Sequence, residues 1–291
     1  MRRALGRIWT EGRRVERVAY AVGAVLFACG LVHLGVLLVA GGSWSGPLSL
    51  RKPVTFGLSF GLTLATVSWA TTFTTIRPKA RTALLGGFTV ASVVETALVS
   101  VQAWRGVPSH FNFETPLDYT IAMVLATGGG VIVFIVLGFA WAAVSGAGEL
   151  SPNLRVAVRA GFLSLLLSLG IGTLMIARGV IEARGGDPQI AYTTAGSLKP
   201  VHAVAMHAIL VLPGLAWVLR FVDWDETRRS RLVRVAVAAY AVLIGVVGIE
   251  SFNGVSPFAA SPIETVVSAA ALVVLVACGS IAVYALFAAD D

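Results

Sequence analysis

Eight apolar stretches, each long enough to cross a bilayer, alternate along this chain with short polar connections. About 20 helical residues are needed to span the hydrocarbon core. The pattern predicts spans near 18–41, 53–75, 82–103, 118–145, 155–182, 200–221, 232–250 and 263–287. The connections leave no room for a soluble domain. The expected fold is therefore an all-α integral membrane protein. It has a basic tail over 1–17, a four-helix half over 18–145 and a second over 146–291, the halves together forming one membrane domain. The first apolar run exceeds the roughly 7–15 residues of a signal-peptide core and carries a histidine, so it reads as a span and not a cleaved leader.

Composition agrees with that pattern. The chain is 57% hydrophobic and 13% charged, whereas about 25% of residues are charged in soluble domains. The net charge of +7 does not point to nucleic acid, because the basic residues are spread among the connections. Sixteen of the 22 lie at one end of the bundle: Arg2, Arg3, Arg7, Arg13, Arg14, Arg17, Arg77, Lys79, Arg81, Arg155, Arg159, Arg220, Arg228, Arg229, Arg231 and Arg234. The positive-inside rule makes that end, and with it both termini, cytoplasmic. Arg51, Lys52, Arg105, Arg178, Arg184 and Lys199 fall on the other side. Cys29 and Cys278 sit in apolar stretches without a CxxC pattern and read as packing residues.

The spans look duplicated. Ser49-Leu50-Arg51-Lys52-Pro53-Val54 opens the second and Ser197-Leu198-Lys199-Pro200-Val201 the sixth. Thr115-Pro116-Leu117-Asp118 opens the fourth and Ser261-Pro262-Ile263-Glu264 the eighth, each with a hydroxyl cap, a proline and an acid suited to a helix start. The expectation is a parallel 4+4 repeat about an axis along the membrane normal. It aligns Gly30–His33 with Gly172–Met175 and Glu95 with Glu250, and leaves the histidines unduplicated.

Candidate chemistry gathers in the extracytoplasmic half, which holds all four histidines. Ionisable groups within a bilayer are costly and usually functional. His33, Glu95 and His207 lie about eight residues from the outer ends of three spans, ~12 Å deep. Imidazole with carboxylate suits zinc or iron, and imidazole alone suits haem. These three are the expected metal ligands, with Glu95 also the expected catalytic acid or base. His202 and His207 are five residues apart, about 140° off a common face, so His202 reads as a residue of the mouth. Lys52, Arg105, Arg178 and Lys199 are expected to hold haem propionates or an anionic substrate; Glu182 is a ready i,i+4 partner for Arg178. In the loop Gln102-Ala103-Trp104-Arg105-Gly106-Val107-Pro108-Ser109-His110-Phe111-Asn112, His110 and Asn112 are placed to gate the site.

This loop resembles a Q-A-x-R-G-x-x-S-H-F-N signature found in a family of bacterial multi-pass membrane proteins. Lys52-Pro53-Val54-Thr55-Phe56 fits the same resemblance, as do His202 and His207 followed by Leu212-Pro213. The likeness covers most of the chain. It implies a multi-pass fold and supports the choice of residues, but implies no reaction. The family pattern often has Gln three residues after the second histidine, where Leu210 stands here.

Three functions compete at this stage. The first is a redox protein binding haem b or a transition metal (Fe or Zn) through His33 and His207. The second is an intramembrane enzyme acting on a lipid, quinone-like or other anionic ligand through Glu95 and histidine. The third is a transporter or proton-coupled carrier, ranked last because the cytoplasmic half of the spans reads as almost free of polar residues.

Overall fold

The computed structural model describes residues 2–41, 44, 46, 48–146, 150–186, 196–256 and 259–288. Its helices are α1 (Arg2–Thr10), α2 (Arg14–Ala40), α3 (Arg51–Ala70), α4 (Pro78–Trp104), α5 (Pro116–Ser145), α6 (Pro152–Arg184), α7 (Lys199–Val218), α8 (Glu226–Phe252) and α9 (Pro262–Ala288). From α2 to α9 all eight are long and apolar enough to cross a membrane, and the described residues contain no strand. Each expected span is present. Within the segment read only as a basic tail, α1 is an additional short helix.

The helix boundaries follow local chemistry. Proline opens α4, α5, α6 and α9, at a position whose N–H would have no intrahelical partner. The Thr115 hydroxyl accepts from the Asp118 amide at 3.2 Å, and the Asp225 carboxylate accepts from the Arg228 amide at 2.8 Å. Gly41 closes α2 in the left-handed region, φ 66°. Short connections send successive helices in opposite directions. One end of the bundle, the basic end, carries the connections around 74–77, 146–151 and 222–225. The other, the loop end, carries those around 41–50, 105–115, 185–198 and 253–261.

Packing repeats between the first four spanning helices and the last four. The closest pairs are α2 with α3 and α6 with α7; α3 also meets α4 as α7 meets α8, and α4 meets α5 as α8 meets α9. The α2–α3 crossing is made by glycine. A Cβ on Gly57 would lie 2.6 Å from the Gly30 nitrogen, and one on Gly61 2.6 Å from the Gly23 oxygen. The backbones themselves touch, as small residues permit in membrane helices. The two groups meet where α3 faces α7 and where α5 faces α6.

At the basic end α3 and α7 finish in matching 3₁₀ turns, Thr71–Phe73 and Leu219–Phe221. Trp69 meets Phe73 edge-on at 5.0 Å and Trp217 meets Phe221 at 4.9 Å, while the two indoles meet each other at 6.1 Å. The largest apolar core, including Leu85, Phe88, Phe139, Phe162, Leu212 and Val233, surrounds this end. Buried charge is also present there. Arg81 and Glu16 are each 2% exposed. Arg81 donates to the Thr71 oxygen at 2.8 Å and the Thr74 oxygen at 2.9 Å, and lies 3.4 Å from the Glu16 carboxylate. The basic end is thus less apolar than the spans suggest, because a residue counted among loop cations turns inward onto the α3–α4 connection.

Candidate functional site

His33 uses both ring nitrogens. Trp104 Nε1, which can only donate, points at His33 Nε2 from 3.0 Å, and Nδ1 lies 2.8 Å from the Cys29 carbonyl. An indole donor requires the lone pair on Nε2. Nδ1 therefore carries the proton and donates to Cys29. The side chain ties α2 to α4 and has no lone pair to spare for a ligand.

Glu95 stands elsewhere. It is 4% exposed and makes no hydrogen bond among the described residues. Its Oε1 rests against bare backbone of α5, where a Cβ on Gly128 would come within 2.4 Å. The glycine run in the fourth span is therefore a notch for this carboxyl. Among the described residues no three His, Cys, Asp or Glu side chains come together as a metal-holding group. The expected set of His33, Glu95 and His207 matches in depth but not in facing.

The structure does bring other expected residues together where α3 meets α7. Lys52, Lys199 and Arg51 lie within one another's electrostatic reach near the first turns of these two helices. None is in an ion pair among the described residues; the four ion pairs there are Arg7–Glu11, Arg13–Glu16, Arg81–Glu16 and Arg105–Asp118. The His110 ring meets Phe56 in a tilted contact at 5.7 Å, and Phe56 meets Phe60 in another at 5.7 Å. Burial and the neighbouring Lys52 ammonium hold the His110 imidazole far below its ordinary range, at about 3. One turn deeper, the Ser59 hydroxyl of α3 reaches the Met206 sulfur of α7 at 3.6 Å.

His202 and His207 line α7 below Lys199 and share a single arrangement. His202 Nδ1 lies 2.8 Å from the Ser168 carbonyl, and His207 Nδ1 2.6 Å from the Ala203 carbonyl. A carbonyl accepts only, so each Nδ1 is protonated, and in the neutral form of each ring the lone pair is on Nε2. Neither Nε2 has a hydrogen-bond partner among the described residues, and the two rings lie within electrostatic reach of each other. Ser168 also donates to the His202 carbonyl at 2.8 Å, and Gly172 leaves room for the ring. Pinning Nδ1–H to a backbone oxygen is how proteins orient an imidazole as a base or ligand.

The loop over 105–115 reaches from the first four spans to α6. Phe111, at φ 61°, is the one non-glycine residue with positive φ among those described. Its ring occupies the space of a missing side chain, since a Cβ on Gly179 would lie 2.2 Å from Cζ. Ser109 is 2% exposed and Asn112 fully buried, with Asn112 Nδ2 unpaired. Arg105 anchors the loop stem: it pairs with Asp118 at 2.7 Å and bonds Gln102, while Thr115 donates to Asp118 at 2.6 Å. Its charge is thereby neutralised within the chain. Arg178 is exposed on α6 and makes no ion pair with Glu182. Sequence reasoning missed the seat at Gly179 and the orienting Ser168, for neither residue type signals its partner across the bundle.

Compared with known proteins, the chain matches no family model, no curated protein and no solved structure. The chemistry of the site rests on its geometry.

Proposed function

We propose that the protein is a multi-pass plasma-membrane protein of two related halves. Its site, between α3 and α7, opens toward the extracytoplasmic side and takes a lipid or quinone-like amphiphile. His202 and His207 act there as proton acceptors. The observation that carries this reading is the pair of imidazoles oriented through Nδ1 on α7, the helix whose first turn brings Lys199 within electrostatic reach of Lys52 on α3. The opposite end is closed by the Trp69–Trp217 contact, which favours entry and exit on one side over a carrier's through-path.

Orientation with both termini in the cytoplasm is supported by the sixteen basic residues at the basic end. Duplication is supported by paired geometry at an interval of 148 residues. Trp69 and Trp217 correspond at this interval, as do Phe73 and Phe221. Arg81 donates to the Thr74 carbonyl as Arg229 does to that of Val222. Gly106 and Gly254 have φ of 69° and 72°, and the Val107 and Val255 amides return to the Gln102 and Glu250 carbonyls. This register pairs Glu250 with Gln102, in place of Glu95.

A metal or haem site is the second reading, and the same pinned Nδ1–H groups favour it. It would use the open Nε2 of His207 or His202. His33 would join only after releasing Trp104, and Glu95 only after leaving its notch at Gly128. Elemental mass spectrometry with an absorption spectrum on purified protein decides for this reading if it finds one iron with a Soret band, or one zinc, per chain.

Diethyl pyrocarbonate, which acylates unprotonated imidazole, tests the first reading. Peptide mass spectrometry should find His202 and His207 modified well before His33, and an added quinone or phospholipid should slow both. Modification of His33 at an equal rate, or no protection by any amphiphile, would contradict it.

A further inference from the structure

Among the described residues, the site just proposed gathers cations without acids. Arg51, Lys52 and Lys199 come from the two helices that face each other, α3 and α7. All three are half-buried, and none has an acidic partner among the described residues. Two further observations add to the positive field. Both helices point their N-termini at this place, the positive end of each helix dipole. Neither has an acid in its first turn nor a side-chain cap at its N-cap, Leu50 or Leu198. By contrast, α5 carries Asp118, α8 Glu226 and α9 Glu264 in their first turns. The adjacent imidazole, His110, is half-buried near Lys52 in a tilted contact with Phe56 and supplies no negative charge.

Like charges gathered at the edge of a low-dielectric region repel one another, and burying them unpaired is costly. The fully buried cation at the other end, Arg81, has the Glu16 carboxylate beside it at 3.4 Å. Among the described residues no acid stands beside Arg51, Lys52 or Lys199. We infer that the neutralising group arrives with the ligand: an anionic phosphate or carboxylate head bound between Lys52 and Lys199, one cation from each half, with Arg51 beside them. The apolar remainder of the ligand then lies along Phe56 and Phe60. This rests on the reading of the α3–α7 site given above, and adds the class of head group.

The test uses detergent-purified full-length protein and native mass spectrometry. Phosphatidylglycerol and phosphatidylcholine of the same acyl composition are titrated against the wild type and a Lys52→Gln/Lys199→Gln variant. The expected result is about tenfold tighter binding of phosphatidylglycerol by the wild type, with the preference abolished in the variant. Competition by inorganic phosphate would show that the head alone is recognised; its absence would show that the lipid body is required; both fit an anion site. Equal binding of the two lipids by the wild type, or a preference unchanged in the variant, overturns the inference. If the double variant does not fold, the salt dependence in the wild type serves instead: the preference should collapse between about 0.05 and about 0.5 M salt, and persistence would count against an ionic contact. Diethyl pyrocarbonate protection separates the two levels. If both lipids protect His202 equally, the head-group assignment fails while the site stands. If neither protects it, both fail.

Discussion

A histidine is available for chemistry only when one ring nitrogen is left without a partner, and the residue scale turns on that distinction. His33 spends Nε2 on the Trp104 indole and Nδ1 on the Cys29 carbonyl; His202 and His207 spend only Nδ1. His33, His202 and His207 were legible as candidates because a polar group in an apolar span is conspicuous, and His110 by its place in the loop between two spans. Their hydrogen bonds were not, because Trp104 lies 71 residues from His33. His110 is a different case, a half-buried ring desolvated by its surroundings and faced by the Lys52 ammonium on α3. Its value in the folded protein, about 3, lies below the ordinary 6.5. The unfolded or unseated form therefore binds a proton first as pH falls. The stability that His110 contributes is complete above about pH 6.5 and declines as pH drops toward 3. One pH unit below the ordinary value corresponds to about 1.4 kcal/mol. Thermal denaturation between pH 7 and 5 should show this loss in the wild type and a flatter dependence in His110→Gln. Parallel curves would mean that His110 is not buried neutral.

At the scale of elements, hydropathy and helix-start chemistry marked the spans well. Pro78, Pro116, Pro152 and Pro262 each begin a helix, and the mechanism needs only the local chain. Helix rotation was not legible. His33, Glu95 and His207 were grouped by depth, yet depth says nothing about facing, which tertiary contacts such as Gly57 on Gly30 and Gly128 on Glu95 decide. Nor did the loop signature disclose how the loop is held. Phe111 adopts a left-handed conformation that costs a residue with a Cβ roughly 1–2 kcal/mol, and the seat offered by Gly179 offsets it. Gly179→Ala should cost about 1–3 kcal/mol through overpacking and free the loop. In a Cys29→Ala/Cys278→Ala background, a Ser109→Cys thiol should react slowly with an impermeant reagent, and much faster once Gly179→Ala is added. An unchanged rate would show that Phe111 does not hold the loop.

Over the whole molecule, the eight spanning helices run between a basic end and a loop end. The aromatic contact of Trp69 with Trp217 closes the first, and Lys52, Lys199 and His110 occupy the second. The sequence pattern anticipated the eight spans. Lys52-Pro53-Val54 and Lys199-Pro200-Val201 suggested a repeat in the sequence at an interval of 147, whereas the arginine-to-carbonyl bonds of Arg81 and Arg229 favour the proposed register of 148. Cationic residues at an outer membrane face ordinarily snorkel to headgroups. The distinction drawn here is that Lys52 and Lys199 converge from facing helices and leave their charge unpaired among the described residues. A cryo-electron-microscopy map of the protein in nanodiscs containing phosphatidylglycerol tests that claim most directly. The account predicts density for a bound head group bridging Lys52 and Lys199 beneath His110, with its tail along Phe56 and Phe60. A map in which the two lysines splay apart to bulk solvent, or are paired with an acid of the chain itself, would contradict it.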